Sequence, residues 1–214
     1  PAPETALHSF CHAVPETWYQ MGVMLSATDS LNWLARIAGT TPADLTADLG
    51  ELRAPGAVRF LPYLSGERTP HNDPEIRGSF TGLALATDRN DMTRAVLEGV
   101  AFGLRDSLTA LRATGARPET LMAIGGGARS RYWLQVIATA LDVTLDLPAG
   151  GEFGAALGAA RLAMVASGAG SVADIMTAPD VTDRILPDPA LRDAFDQAYE
   201  GFRAAYPAIR TAQR

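Results

Sequence analysis

The sequence predicts a layered α/β fold, and three observations carry that expectation. A short apolar stretch at residues 120–124 reads as a strand and runs directly into Gly125, Gly126 and Gly127. A helical stripe of Trp133, Val136, Ile137, Ala140 and Leu141 follows, and residues 143–147 read as a further strand. The third observation is a long helical pattern at residues 91–113, with Met92, Val96, Val100, Leu104, Leu108 and Leu111 at three- and four-residue steps. Strand, glycine turn, helix and strand in that order belong to folds whose ligands gather at the carboxyl ends of strands.

The remaining elements are read in chain order. Residues 6–13 alternate imperfectly around Leu7, Phe10 and Cys11 and suggest a strand that starts without a turn or cap before it. At residues 20–38, Met21, Met24, Leu25, Leu31, Leu34 and Ala38 fall on one helical face, with Gly39 as the stop. Thr41 followed by Pro42 predicts a cap and first turn of a minor helix. Residues 60–78 hold Pro62, Pro70 and Pro74 and cannot form one helix. Their mixture of Phe60 and Tyr63 with Glu67, Arg68, His71 and Asp73 predicts an ordered loop of the length that lines a site.

An extended piece at 78–83 precedes the long helix, whose Gly99 and Gly103 cost about 1 kcal/mol each against alanine and therefore call for a close neighbouring backbone. Gly115 and Pro118 end it. A second glycine-bearing helix is expected at 153–166, with Gly154 and Gly158 on one face for close packing. Asp188 and Pro189 read as the cap and first position of a last helix carrying Leu191, Phe195, Ala198 and Phe202.

Composition excludes several classes. With 47% apolar and 20% charged residues the chain can build a hydrophobic core, and a net charge of -6 gives it no field for a phosphate backbone, so nucleic acid is not an expected partner. No run reaches the ~20 apolar residues that cross a bilayer. Cys11 is the single cysteine, which rules out an intrachain disulfide and fits a reducing, cytoplasmic setting. His8, Cys11 and His12 lie close in sequence, but only His71 remains to complete a metal set, so no metal site is expected.

The glycine turn has two readings. Three consecutive glycines let backbone N–H groups face one way and cradle a phosphate, or let a flat purine lie against backbone free of Cβ atoms. A tight strand-to-helix turn with no ligand fits as well. No Lys and Ser/Thr pair follows Gly127 as a Walker loop requires, and GxGxxG is absent. Catalytic candidates are equally open: Ser65 and Ser130 lack a GxSxG setting, and Asp29, Glu67, Glu98, Asp106 and Glu152 each have a surface or capping explanation. No catalytic residue is assigned.

Taken together, YLSGERTPHNDP (63–74), RGSFTGL, TRAVLEGVAFGLRD, IGGGARSRYW and GEFGAALGAARLA resemble, in that order, the FGGY carbohydrate kinases, the sugar kinases of the glycerol-kinase and xylulokinase type. The first motif looks closest to the xylulokinases. The resemblance spans residues 10–167 and implies an actin-like ATPase (ribonuclease H-like) architecture of two domains around a cleft, sugar mainly on the first and ATP mainly on the second.

It further implies that residues 1–214 are an incomplete, N-terminally truncated second domain. The catalytic aspartate, the sugar-binding domain and the phosphate-binding hairpin would then lie upstream in the parent chain. Gly126, Gly127 and Ala128 match the turn beside adenine and ribose, Gly125 precedes it, and Arg131 stands where some relatives carry a nucleotide-contacting asparagine. The implied cofactors are ATP and Mg²⁺ and the implied substrate a ketopentose, D-xylulose. Exposed sheet edges would favour self-association into a homo-oligomer. A non-catalytic actin-like nucleotide-binding or assembly domain is the competing expectation.

Overall fold

The structure, a computed structural model, describes residues 6–151 and 154–213. A hairpin of β1 (His8–Cys11) and β2 (Trp18–Met21) opens the chain, followed by helices α1 (Thr28–Ile37) and α2 (Pro42–Ala47). Strands β3 (Arg59–Leu61) and β4 (Ser79–Thr81) pair antiparallel around the loop between them, and α3 (Arg89–Ala113) follows. The α/β unit comes next, with β5 (Thr120–Met122), α4 (Arg131–Leu141) and β6 (Thr144–Pro148). Beyond it lie α5 (Gly154–Ala166), α6 (Val172–Ile175), β7 (Val181–Ile185) and α7 (Arg192–Ala212). In the three-stranded sheet β6 is central, parallel to β5 and antiparallel to β7.

Helix α3 is the axis of the fold. Asp88 and Asp91 form a reciprocal capping box at its start, each carboxylate accepting the other's backbone N–H, which removes two of the helix's orphan donors. From Thr93 to Gly103 each successive residue is buried, so this helix is covered on all sides rather than on one stripe. Its glycines explain how. A Cβ on Gly99 would sit 2.2 Å from the Phe60 carbonyl oxygen of β3, and one on Gly103 would sit 2.4 Å from the Met24 methyl.

The close backbone expected from these two glycines is therefore present at Gly99, while at Gly103 the neighbour is a side-chain methyl. Phe60 in turn packs with Phe80 and Trp33, and Phe102, on the face of α3 next to Gly99, meets Phe195, Tyr199 and Phe202 of α7. Burial extends to a charged pair within α3. Arg94 donates to Glu98 at 3.3 Å and to the Ala54 carbonyl at 2.7 Å, while burial pushes the Glu98 carboxyl up to about 7.

Four expectations are corrected. The helix expected over 20–38 starts only at Thr28. Met21 belongs to β2, and the intervening backbone bonds to a distant loop, because the N–H groups of Val23 and Leu25 go to Thr69 Oγ1 and Glu67 Oε1. Asp188 and Pro189 form a turn ahead of α7: Asp188 Oδ1 accepts from Ala190 N, and the helix begins at Arg192. Strand β7, absent from the elements expected from sequence, is recruited by pairing with β6. The expected start of α5, Phe153, lies outside the described residues. From Gly154 onward α5 has no buried residue, and a Cβ on Gly158 would meet open space, so the close packing expected of its small-residue face is absent among the described residues.

These surroundings give two glycines opposite responses to the same change. Gly99→Ala should destabilise by on the order of 1–3 kcal/mol, because the added methyl collides with a fixed carbonyl. Gly158→Ala should be neutral or stabilising by up to roughly 1 kcal/mol, from helix propensity alone. Urea unfolding of both variants checks this, and equal effects would contradict the packing of α3 described above.

Candidate functional site

The glycine turn sits at the carboxyl end of β5, as the order of elements implies. Ala123 N donates to Asp146 O at 2.9 Å, extending the β5–β6 ladder, and Gly125 N donates to Gly151 O at 3.0 Å. Gly125 then takes φ +88°, a conformation closed to most side chains. Gly126–Arg129 turn once as a 3₁₀ helix, held by Ala128 N to Gly125 O and Ser130 N to Gly127 O. Ser130 caps α4 by accepting from Trp133 N.

The three glycines differ in their reasons. Positive φ is confined to Gly125 among them. Gly126 has open space where a Cβ would stand, and a Cβ on Gly127 would fall 3.3 Å from Thr28 Oγ1 and 3.4 Å from the Trp133 ring. Trp133 is buried beneath the turn and donates its indole N–H to the Leu97 carbonyl of α3.

A groove of about 480 Å³ begins at this turn and runs along β5 between α3 and α4. That volume lies within the range of small-molecule sites. Gly125, Gly126, Gly127 and Ala128 all line it, while its floor is apolar, with Val100, Leu104, Leu134 and Ile137. Ala27 and Thr28, the N-cap and first residue of α1, form the wall facing the turn; residue spacing gave no signal for them. Ser107 Oγ, buried on the same floor, has no hydrogen-bond partner among the described residues.

Arg131 does not line the groove. It turns to β7, where it donates to Asp183 Oδ2 at 2.6 Å, and this pair holds the Asp183 carboxyl below the usual range.

The other candidate residues lie apart from the turn. Ser65 is in the 60–78 loop, Asp29 is exposed on α1, Asp106 accepts from Tyr199 OH at 2.6 Å, and Glu152 lies outside the described residues. His71 is stacked on Tyr206 with centroids 3.6 Å apart and contacts Tyr63 OH, and burial depresses its pKa to about 4. Among the described residues no group of three or more His, Cys, Asp or Glu is placed to hold a metal ion.

The loop at 60–78 is ordered, and its buried Glu67 is the second feature of the region. Glu67 exchanges backbone hydrogen bonds with Asp73, and its Oε1 accepts from Leu25 N at 3.1 Å and Arg68 N at 2.8 Å. Burial pushes its carboxyl up to about 7, and the two backbone donors offset that only in part.

The family model for the FGGY family of carbohydrate kinases, C-terminal domain, matches residues 1–167. Xylulose kinase of Escherichia coli (strain K12) is 44% identical over 207 residues, covering 95% of this chain and 43% of that protein. The Klebsiella pneumoniae xylulose kinase is 48% identical over 166 residues, 77% of this chain and 34% of that one. The crystal structure of a xylulose kinase from Brucella ovis superposes with TM-score 0.92 at 54% identity, covering 99% of this chain and 44% of its own.

A glycerol kinase of Plasmodium falciparum with ADP superposes with TM-score 0.71 at 21% identity, a likeness of fold alone. The chain thus spans less than half the length of the relatives it matches. Its fold is the sugar-kinase, actin-like one that the motifs led us to expect.

Glu67 generates a pH dependence. The unfolded carboxyl ionises near 4.5, whereas the folded one keeps its proton to about 7, so the folded state binds the extra proton across that window and stability falls as pH rises through it. Glu67→Gln removes the titration and keeps the acceptor oxygen. Its unfolding free energy relative to wild type should therefore rise by on the order of 2–3 kcal/mol between pH 4.5 and 7.5. A pH-independent difference in paired denaturation curves would contradict this.

Proposed function

The chain belongs to the FGGY family of carbohydrate kinases, and from that premise we propose that it is the nucleotide-holding C-terminal part of an ATP-dependent kinase that phosphorylates a ketopentose, D-xylulose, at its terminal hydroxyl to give D-xylulose 5-phosphate. The observation that carries the reading is the glycine turn opening, without Cβ atoms, onto an apolar groove large enough for a nucleoside. A purine laid on Gly126, where a Cβ would meet open space, would have backbone on one face and the apolar floor at its edge, with Thr28 closing the groove beside Gly127. Gly125 sets the direction of the turn, and Ala128 keeps its exit small. Arg131 would reach the nucleotide by releasing Asp183, an exposed pair that costs little to open.

Phosphoryl transfer needs a sugar hydroxyl in line with the γ-phosphorus, a base for its proton and charge stabilisation on the transferred oxygens. Mg²⁺ bound to the phosphates supplies part of that stabilisation. This chain's residues hold and orient the nucleoside and keep water from one side of it. The base and the sugar pocket belong, in this proposal, to an upstream sugar-binding domain of the same parent chain. No helix among the described residues is long and apolar enough to cross a membrane. We assign the kinase to the cytoplasm, where the exposed thiol of Cys11 stays reduced.

Two measurements test the reading. The 214-residue chain with ATP, Mg²⁺ and D-xylulose should release no sugar-dependent ADP in a coupled assay; turnover comparable with an intact xylulose kinase would overturn the division of labour. Calorimetric titration should detect ADP binding, and Gly126→Val should weaken it by at least about ten-fold, since a branched side chain there fills the groove without forcing a positive φ. Unchanged ADP affinity in a variant with a wild-type melting temperature would remove the turn from the nucleotide site.

A further inference from the structure

We infer that Thr69 and Glu67, which touch neither the groove nor its turn, are positioning residues that fix the groove's width by clamping the segment 22–28 against the glycine turn. The inference uses the nucleotide reading above for its functional consequence and stands on separate geometry. Residues 22–27 lie between the end of β2 and the start of α1 and have no ladder or helix of their own. The buried loop residue Thr69 takes over that role. Its hydroxyl accepts from Val23 N at 2.9 Å and donates to Ala6 O at 3.1 Å, while its own N–H donates to Val23 O at 2.9 Å. Two residues on, Leu25 N donates to Glu67 Oε1.

The other side of the segment is pressed on α3, where Gly22 faces Ser107 and Met24 faces Gly103, both closer than a side chain on either glycine would permit. With both sides held, the segment delivers Ala27 and Thr28 to the groove wall, Thr28 within reach of Gly127. The loop is itself anchored away from the site. Asp73, bridged to Glu67 through the backbone, accepts from Tyr206 OH at 2.9 Å and pairs with Arg210 of α7 at 2.9 Å. The chain of contacts therefore runs from α7 through the loop to the wall, and a bound purine would sense it as the separation between Thr28 and the turn.

Thr69→Val keeps the shape and removes both hydroxyl bonds, and Thr69→Ser restores them. Amide hydrogen exchange on the 214-residue chain reads the result directly. In Thr69→Val, exchange should rise at 22–28 and also at the Ala128 and Ser130 amides of the turn, which bond to nothing in the loop. Residues 95–101 of α3 should keep wild-type protection, and Thr69→Ser should reverse the change. ADP affinity, measured alongside, should fall roughly five-fold with Val, the worth of one net hydrogen bond, and recover with Ser.

Faster exchange confined to 22–28, with the turn amides unchanged, would overturn the inference. If Thr69→Val loosens α3 as well, Glu67→Met with Glu67→Gln as its rescue applies the same criterion to the Leu25 bond. If wild-type chain binds no ADP, the nucleotide reading fails for this chain, and the turn amides still decide the clamp.

Discussion

The contact between the Phe60 carbonyl and Gly99 is the constraint on which the rest of the structure leans. A strand carbonyl lies where any side chain at 99 would begin, so β3 is drawn onto the body of α3 rather than onto a layer of side chains above it. That approach leaves room for nothing else, and it fixes the position of the aromatic stack of Phe60, Phe80 and Trp33 on one side. On the neighbouring face, Phe102 is turned to α7, and Trp133 reaches the Leu97 carbonyl with its indole N–H. A helix buried through Thr93–Gly103 has partners on all sides, and its own Val100 and Leu104 form part of the groove floor.

How much of this was legible in the sequence depended on whether local spacing or distant contact decided each element. The stripe from Met92 to Leu111 named α3 because its apolar positions hold the helical period over about five turns, and Gly99 correctly announced a close backbone, whereas Gly103 makes room for the Met24 side chain. The strand, glycine turn and helix from 120 to 141 were equally readable. Residues 20–27 were not. Their methionines and leucine sit at helical intervals, yet Thr69 and Glu67, more than forty positions away, take the backbone donors that a helix would need. Periodicity reports which side chains share a face and is silent about who owns a peptide N–H.

The site was legible to a similar depth. Gly125 through Ala128 line the groove, and the motif order gave their setting. Thr28 escaped because its relation to Gly127 spans a hundred residues of chain and exists only after folding. Arg131 shows the converse limit, for sequence placed it beside the turn, while a carboxylate on β7, a strand visible only through its pairing with β6, holds its guanidinium. The glycine run also concealed a division of roles: backbone conformation at the first, open space at the second, and a side-chain wall at the third.

Trp133 adds an optical property to the turn. Its ring lies 3.4 Å from where a Gly127 side chain would start, and the ring is almost fully shielded from water and held at its nitrogen. A base resting on the turn would be separated from the indole by little more than one peptide layer, close enough for its electronic transitions to change the quantum yield of that single fluorophore. Trp18, largely in solvent on the β1–β2 hairpin, emits at longer wavelength and is open to collisional quenchers. Trp33, half-buried against Phe60 and Phe80, shares the shorter-wavelength emission, so replacing it by Phe leaves Trp133 as the buried probe beneath the surface on which a nucleoside would rest.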